Sequence, residues 1–220
     1  MLQNKQTDRM LYLLPVILLG TAVPVFLGAA QLLGKDIGYL TGFIFYWLVW
    51  CIFFPAWLLK NKGGWRGVFQ QDKAFFSLQQ IDAVLLFFTI TGVTIWMYWD
   101  DFVHAPLVLI LLSVPFATIN GFCEEALWRG LYNRVFPKDW LRGLILPSIA
   151  FAVWRIAPQL IFPSERGIFP FVLSTFFLGL AYGWIAFRTR SARWTAISHS
   201  LSGIIAIGGP VTHIIYKLFF

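Results

Sequence analysis

Seven apolar runs take up most of this chain: Met10–Leu33, Gly38–Leu59, Ala83–Trp99, Ala105–Leu127, Leu141–Phe162, Ile168–Phe187 and Trp194–Phe220. Crossing a hydrocarbon core about 30 Å thick takes roughly 20 helical residues, and each run is of that order. With 59% hydrophobic and only 12% charged residues, the chain lacks the polar surface of a water-soluble globule. Lipid leaves no partner for an unpaired backbone group, and the runs lack the in-out alternation of barrel strands. The expected fold is therefore all-α: a polytopic transmembrane helical bundle of about seven spans (six to eight). It forms a single integral membrane domain over residues 1–220. The first run follows Lys5 and Arg9 and lacks a small-residue cleavage site with a polar region after it, so it reads as a retained signal anchor.

Charge orients the bundle. Of the seventeen Lys and Arg residues, thirteen fall on one side. These are Lys5 and Arg9, then Lys60, Lys62, Arg66 and Lys73, then Arg129, Arg134, Lys138 and Arg142, then Arg188, Arg190 and Arg193. Lys35, Arg166 and Lys217 lie on the other side with Asp100, Asp101 and Glu165, while Arg155 sits inside a span. The positive-inside rule then places the N-terminus in the cytoplasm, and a bacterial cytoplasmic (inner) membrane is the expected setting. Basic residues beside an anionic leaflet gain about 1 kcal/mol each. The net charge of +7 thus needs membrane lipids as partners and no nucleic acid. Segment Gly63–Asp82, with aromatic residues among Lys, Gln and Asp, is too polar to span and reads as an interfacial stretch or an ordinary loop.

Within this apolar setting, Cys123-Glu124-Glu125-Ala126-Leu127-Trp128-Arg129-Gly130 carries two adjacent carboxylates and an arginine at the end of the fourth run. Each ionised side chain at the centre of a bilayer costs roughly 2.5–3.5 kcal/mol on insertion scales, so such a cluster has to be paired, hydrated or used. On a helix, Glu125 and Arg129 are i and i+4 and can pair in the favoured order. Glu124 points about a quarter turn away, with Asn120 and Trp128 as its neighbours, and is free to face a cavity. An EE pair alone would also fit a helix ending in headgroup water. Cys51 and Cys123 form neither a CxxC pair nor a zinc framework and read as packing residues. The histidines are His104, His199 and His213, and no HExxH occurs. His104 reads as loop chemistry and His213 as interfacial, unless the Gly208-Gly209-Pro210 break folds the chain back. The GxxxG run Gly179–Gly183 marks an internal helix contact or a dimer face, and the prolines should kink several spans.

EEALWRG, then SIAFAVW, then GLAYGWIAFRTRSARWTAISHSLSG resembles the CPBP family of intramembrane proteases, the CAAX-protease and bacteriocin-processing group. The family-like core runs from about Ala105 to about Ala206. Its EExxxR motif is complete as Glu124, Glu125 and Arg129, and its late histidine is His199 after Arg188-Thr189-Arg190-Ser191. The FxxxH motif departs: Phe151 is followed at the histidine position by Arg155, and Gly203 stands where a polar residue usually follows the late histidine.

The resemblance implies an intramembrane endopeptidase that cleaves a membrane-anchored peptide or protein near the cytoplasmic leaflet, with Glu124 activating water. Glu125, His199 and Arg155 would complete the site, supported by Arg129, Asn120 and Phe151. Zinc is the cofactor the family implies, held here by Glu124 and His199 if at all. Guanidinium has no lone pair and stays protonated, so Arg155 can be neither ligand nor base. Two outcomes follow. Either Arg155 or His199 stabilises an oxyanion while Glu124 works, or Arg155 pairs with Glu124 inside the bundle. The second leaves a non-catalytic relative, a binding, assembly or accessory subunit of a membrane complex. A small transporter fits less well, because the charges cluster at one end.

Overall fold

The structure is a computed structural model that describes residues 2–60, 64–70 and 74–220. Lys62, Lys73 and part of the Gly63–Asp82 segment lie outside the described residues. Among the described residues the regular elements are all helical. They are α1 (Leu2–Leu33), α2 (Lys35–Leu59), α3 (Gly64–Phe69), α4 (Ile81–His104), α5 (Leu107–Val135), α6 (Leu141–Gln159), α7 (Ile168–Thr189), α8 (Arg193–Ile205) and α9 (Gly209–Phe219). Six of these, α1, α2 and α4–α7, are long and apolar enough to cross a membrane. The protein is an integral membrane protein built as a polytopic helical bundle.

The seventh run is broken. Read from sequence as one stretch, Trp194–Phe220, it folds as α8 and α9 with a 46° bend between them. Ile207, Gly208 and Gly209 all have left-handed backbones (φ 57°, 66° and 62°), which no right-handed helix accommodates, and Pro210 then opens α9. Glycine takes that conformation freely; a β-branched residue such as Ile207 pays about 1–2 kcal/mol for it. His213 Nδ1 donates to the Gly209 carbonyl (3.0 Å), and the residue lines an open recess with His104 and Asp100. The break therefore leaves it apart from Glu124.

Close helix approach depends on a few small residues. A Cβ on Gly38 of α2 would overlap the Ala30 backbone of α1, and one on Gly42 would overlap the Phe26 ring. Along α5 and α8, a Cβ on Gly121 would lie 2.5 Å from the Ser200 Oγ, and one on Gly203 would lie 2.9 Å from the Ala117 Cβ. Gly179 and Gly183 of α7 face Ser148 and Leu144 of α6, so that GxxxG run serves an internal contact. Cys51 and Cys123 are buried free thiols.

One end of the bundle gathers basic residues by direct contacts. Arg188 pairs with Asp82 (2.8 Å), Arg142 reaches Asp8 (3.5 Å), and the Ala192 amide donates to the Val68 carbonyl of α3 (3.1 Å). Asp139, in the turn before α6, accepts from the Arg142 amide (3.0 Å) and from its Nε (2.6 Å). Those bonds hold its carboxyl below the usual carboxylate range. Its tethering of that turn is thus present above the ordinary carboxylate range and is lost as pH falls through the lowered value.

Candidate functional site

Glu124 and Glu125 close the regular part of α5, which then widens into a π-helical turn over Ala126–Leu131. Such turns have i→i+5 bonding and gather at functional sites. Asn133 braces this one by donating its Nδ2 to the Arg129 carbonyl (2.9 Å). Both carboxylates are fully buried at 0% exposure, so each must find its partners inside the protein.

Glu125 pairs with Arg129 (3.0 Å), which is 1% exposed and sends Nη2 to the Gly179 carbonyl of α7 (3.3 Å). The Arg129 guanidinium lies over the Phe151 ring at 4.3 Å, and that of Arg155 lies over the same ring at 5.1 Å. One aromatic ring on α6 thus orients both cations. His199 of α8 places Nδ1 3.0 Å from Glu125 Oε1 and Nε2 3.6 Å from Glu124 Oε2, with its ring stacked on Tyr182. The Gly121–Ser200 and Ala117–Gly203 approach is what lets α8 bring the imidazole this close.

Glu124 is surrounded by donors. Asn120 Nδ2 gives to Oε2 (3.2 Å), Trp154 Nε1 to Oε1 (3.2 Å), and Arg155 Nη2 to Oε2 at 2.7 Å. Arg155 sits in the turn where the regular helix of α6 ends, and its side chain is 17% exposed against 0% for Glu124. The site thus brings together Glu124, Glu125, Arg129, Asn120, Phe151, Arg155 and His199. His104 pairs with Asp100 on an exposed surface, outside this group.

Sequence reasoning passed over several participants. Trp154 precedes Arg155 directly and binds the same carboxylate. Trp47 of α2 donates Nε1 to Asn120 Oδ1 (3.0 Å), which turns the amide so that its NH₂ faces Glu124. Tyr46 stacks on Trp154 at 3.7 Å and accepts from Trp128 Nε1 (2.8 Å). In a chain with eleven tryptophans, eight of them inside the apolar runs, the composition offered no contrast by which to find them.

A cavity of about 210 Å³ adjoins the cluster, walled by Phe43, Trp47 and Phe116, with Asn120, Arg155 and His199 as its polar floor. Glu124 is not among the groups that line it: the guanidinium stands between the carboxylate and the cavity. A catalytic zinc takes three protein ligands and a water. Among the described residues no three His, Cys, Asp or Glu side chains are arranged to hold a metal. The oxygen of Glu124 nearest His199 is already bound to a cation without lone pairs. These residues do not fit a zinc ion.

Residues 105–205 match the family described as type II CAAX prenyl endopeptidase, Rce1-like. That match supports a place in the CAAX-protease family for this segment. Comparison with curated proteins and with solved structures gave no match. The Rce1-like segment spans α5 to α8 and so carries all of Glu124, Glu125, Arg129, Arg155 and His199, while Trp47 and Tyr46 reach the site from α2 outside it.

Gly203, where the resemblance expects a polar residue, is occupied for a packing reason. Introducing Gly203→Asn should cost about 1–3 kcal/mol by forcing α5 from α8. Adding Ala117→Gly should recover most of that loss in thermal unfolding, and no recovery would refute the contact as the cause.

Proposed function

We propose that this Rce1-like protein is a non-catalytic relative of the CAAX proteases that binds the polar end of a membrane-anchored peptide or protein, as an accessory or assembly subunit. The 2.7 Å pair between Arg155 and Glu124 carries this reading. A general base needs a free lone pair pointing at its water. Here Asn120, Trp154 and Arg155 engage both oxygens of Glu124, and a charge-assisted bond to guanidinium is among the strongest a carboxylate makes.

What the cavity presents instead is a set of donors. Arg155 and the Asn120 amide, beside the His199 ring, suit a backbone carbonyl or terminal carboxylate, and the aromatic wall suits the apolar residues before it. Its position inside the bundle supports a ligand that arrives within the membrane. The basic end of the bundle supports a cytoplasmic N-terminus in a bacterial inner membrane, and the chain acts as one membrane domain with residues 105–206 as its functional core.

The second reading, an endopeptidase using Glu124, draws on the 3.6 Å approach of His199 Nε2 to that carboxylate. Reconstituted protein offered membrane-anchored peptides separates the two. Binding without turnover is expected, with Arg155→Gln weakening capture about tenfold, the scale of a lost charged hydrogen bond. Turnover by the unaltered protein that vanishes in Glu124→Gln would overturn the proposal.

A further inference from the structure

Nine residues beyond Glu124 along α5, about 13 Å at 1.5 Å each, a second pocket opens at the basic end of the bundle. It measures about 130 Å³ and lies among α3, the last turn of α5 and the turn joining α7 to α8. Val68, Asn133, Arg134, Arg190 and Ser191 contribute to its lining. None of these takes part in the Glu124 cluster, apart from the backbone brace of Asn133 on Arg129.

We propose that this pocket binds a phosphate group, and specifically that of an anionic phospholipid headgroup. Arg190 supplies the first observation. Its backbone is left-handed (φ 58°), its guanidinium lies 4.8 Å over the Phe187 ring, and its buried Nη1 has no hydrogen-bond partner. A cation fixed in place with a buried donor left over is a preformed half of a guanidinium–phosphate pair. With Arg134 on the same wall, two positive charges face a space too small for a peptide segment.

Asn133 supplies the second. It is 5% exposed, its Nδ2 is committed to the Arg129 carbonyl, and its Oδ1 has no partner. An unpaired acceptor on a residue that lines the same pocket as Arg134 and Arg190 calls for a ligand that carries a donor next to its phosphate. The glycerol hydroxyls of phosphatidylglycerol have that arrangement.

Location decides the source. α5 ends at Val135 and α7 at Thr189, so the pocket lies where spans leave the hydrocarbon and headgroups begin. Arg188 and Arg142 lie in the same region, and basic pockets between spans at that level select anionic headgroups. Short helix α3 closes one side. Val68 sits against Gly130, where a Cβ would overlap it, and the Val68 carbonyl accepts from Ala192.

Native mass spectrometry of the full chain, after exchange into detergent with equal phosphatidylglycerol and phosphatidylcholine, tests the assignment. The unaltered protein should retain phosphatidylglycerol in preference. Arg190→Asn, which suits a left-handed backbone, should lower that retention about fivefold, the factor expected of one basic residue beside anionic lipid. Arg190→Lys should keep part of it, and Arg193→Gln, outside the pocket, should keep all of it. Equal retention of the two lipids, or unchanged retention in a folded Arg190→Asn protein, would overturn the proposal. Thermal stabilisation by inorganic phosphate with no lipid retained would assign the pocket to a soluble anion and overturn the lipid source.

Discussion

Arg129→Met should lower stability by about 3–5 kcal/mol, because it strands the fully buried Glu125 carboxylate without its counter-charge. The side chain removed also ties α5 to the Gly179 carbonyl of α7 and covers the Phe151 ring, so three elements lose a shared contact. Thermal unfolding in mild detergent would read the loss. The diagnostic comparison is the double variant Glu125→Gln with Arg129→Met. If the damage comes from an unpaired charge, the pair of changes should be milder than the arginine change alone. An unaltered melting temperature in Arg129→Met would show that the pair contributes nothing to the fold.

Arg155→His should produce the second large effect. It withdraws the guanidinium from Glu124 and adds a nitrogen with a lone pair beside Glu124 and His199, a donor set that suits zinc. The variant should bind zinc at least about a hundredfold more tightly than the unaltered protein, which at saturating metal corresponds to roughly 2.7 kcal/mol of added stability. Metal content after gel filtration and the melting temperature with and without zinc both report it. Equal zinc content in the two proteins would mean that Arg155 is not what makes the site unfit for metal.

The helical bundle was legible in the sequence because seven long apolar runs leave few alternatives in lipid. Pairing of Glu125 with Arg129 was legible too, since both lie on one helix and i,i+4 geometry is local. The approach of Arg155 to Glu124 was only one of two readings. Counting residues from span ends treats helices as regular, whereas α5 widens over Ala126–Leu131 and α6 leaves its regular helix at Arg155. Gly203 read as a missing polar side chain, and only the approach of Ala117 shows the steric demand for glycine. The bend at 207–209 had its signal in Gly-Gly-Pro, but nothing local announced a left-handed isoleucine before it.

At the level of the buried cluster, Glu124 and Glu125 with Arg129 leave α5 one negative charge in excess, and Arg155 of α6 supplies the positive charge that cancels it, while Arg134 and Arg142 lie at the helix ends. The two helices are consecutive and joined by the short turn 136–140. Biogenesis inherits a constraint from this. Released singly into lipid, either helix would carry an uncancelled ion worth roughly 2.5–3.5 kcal/mol against partitioning. Released together as a hairpin, they enter the bilayer electrically neutral at that level, so the fold's own counter-ions favour pairwise exit from the insertion machinery.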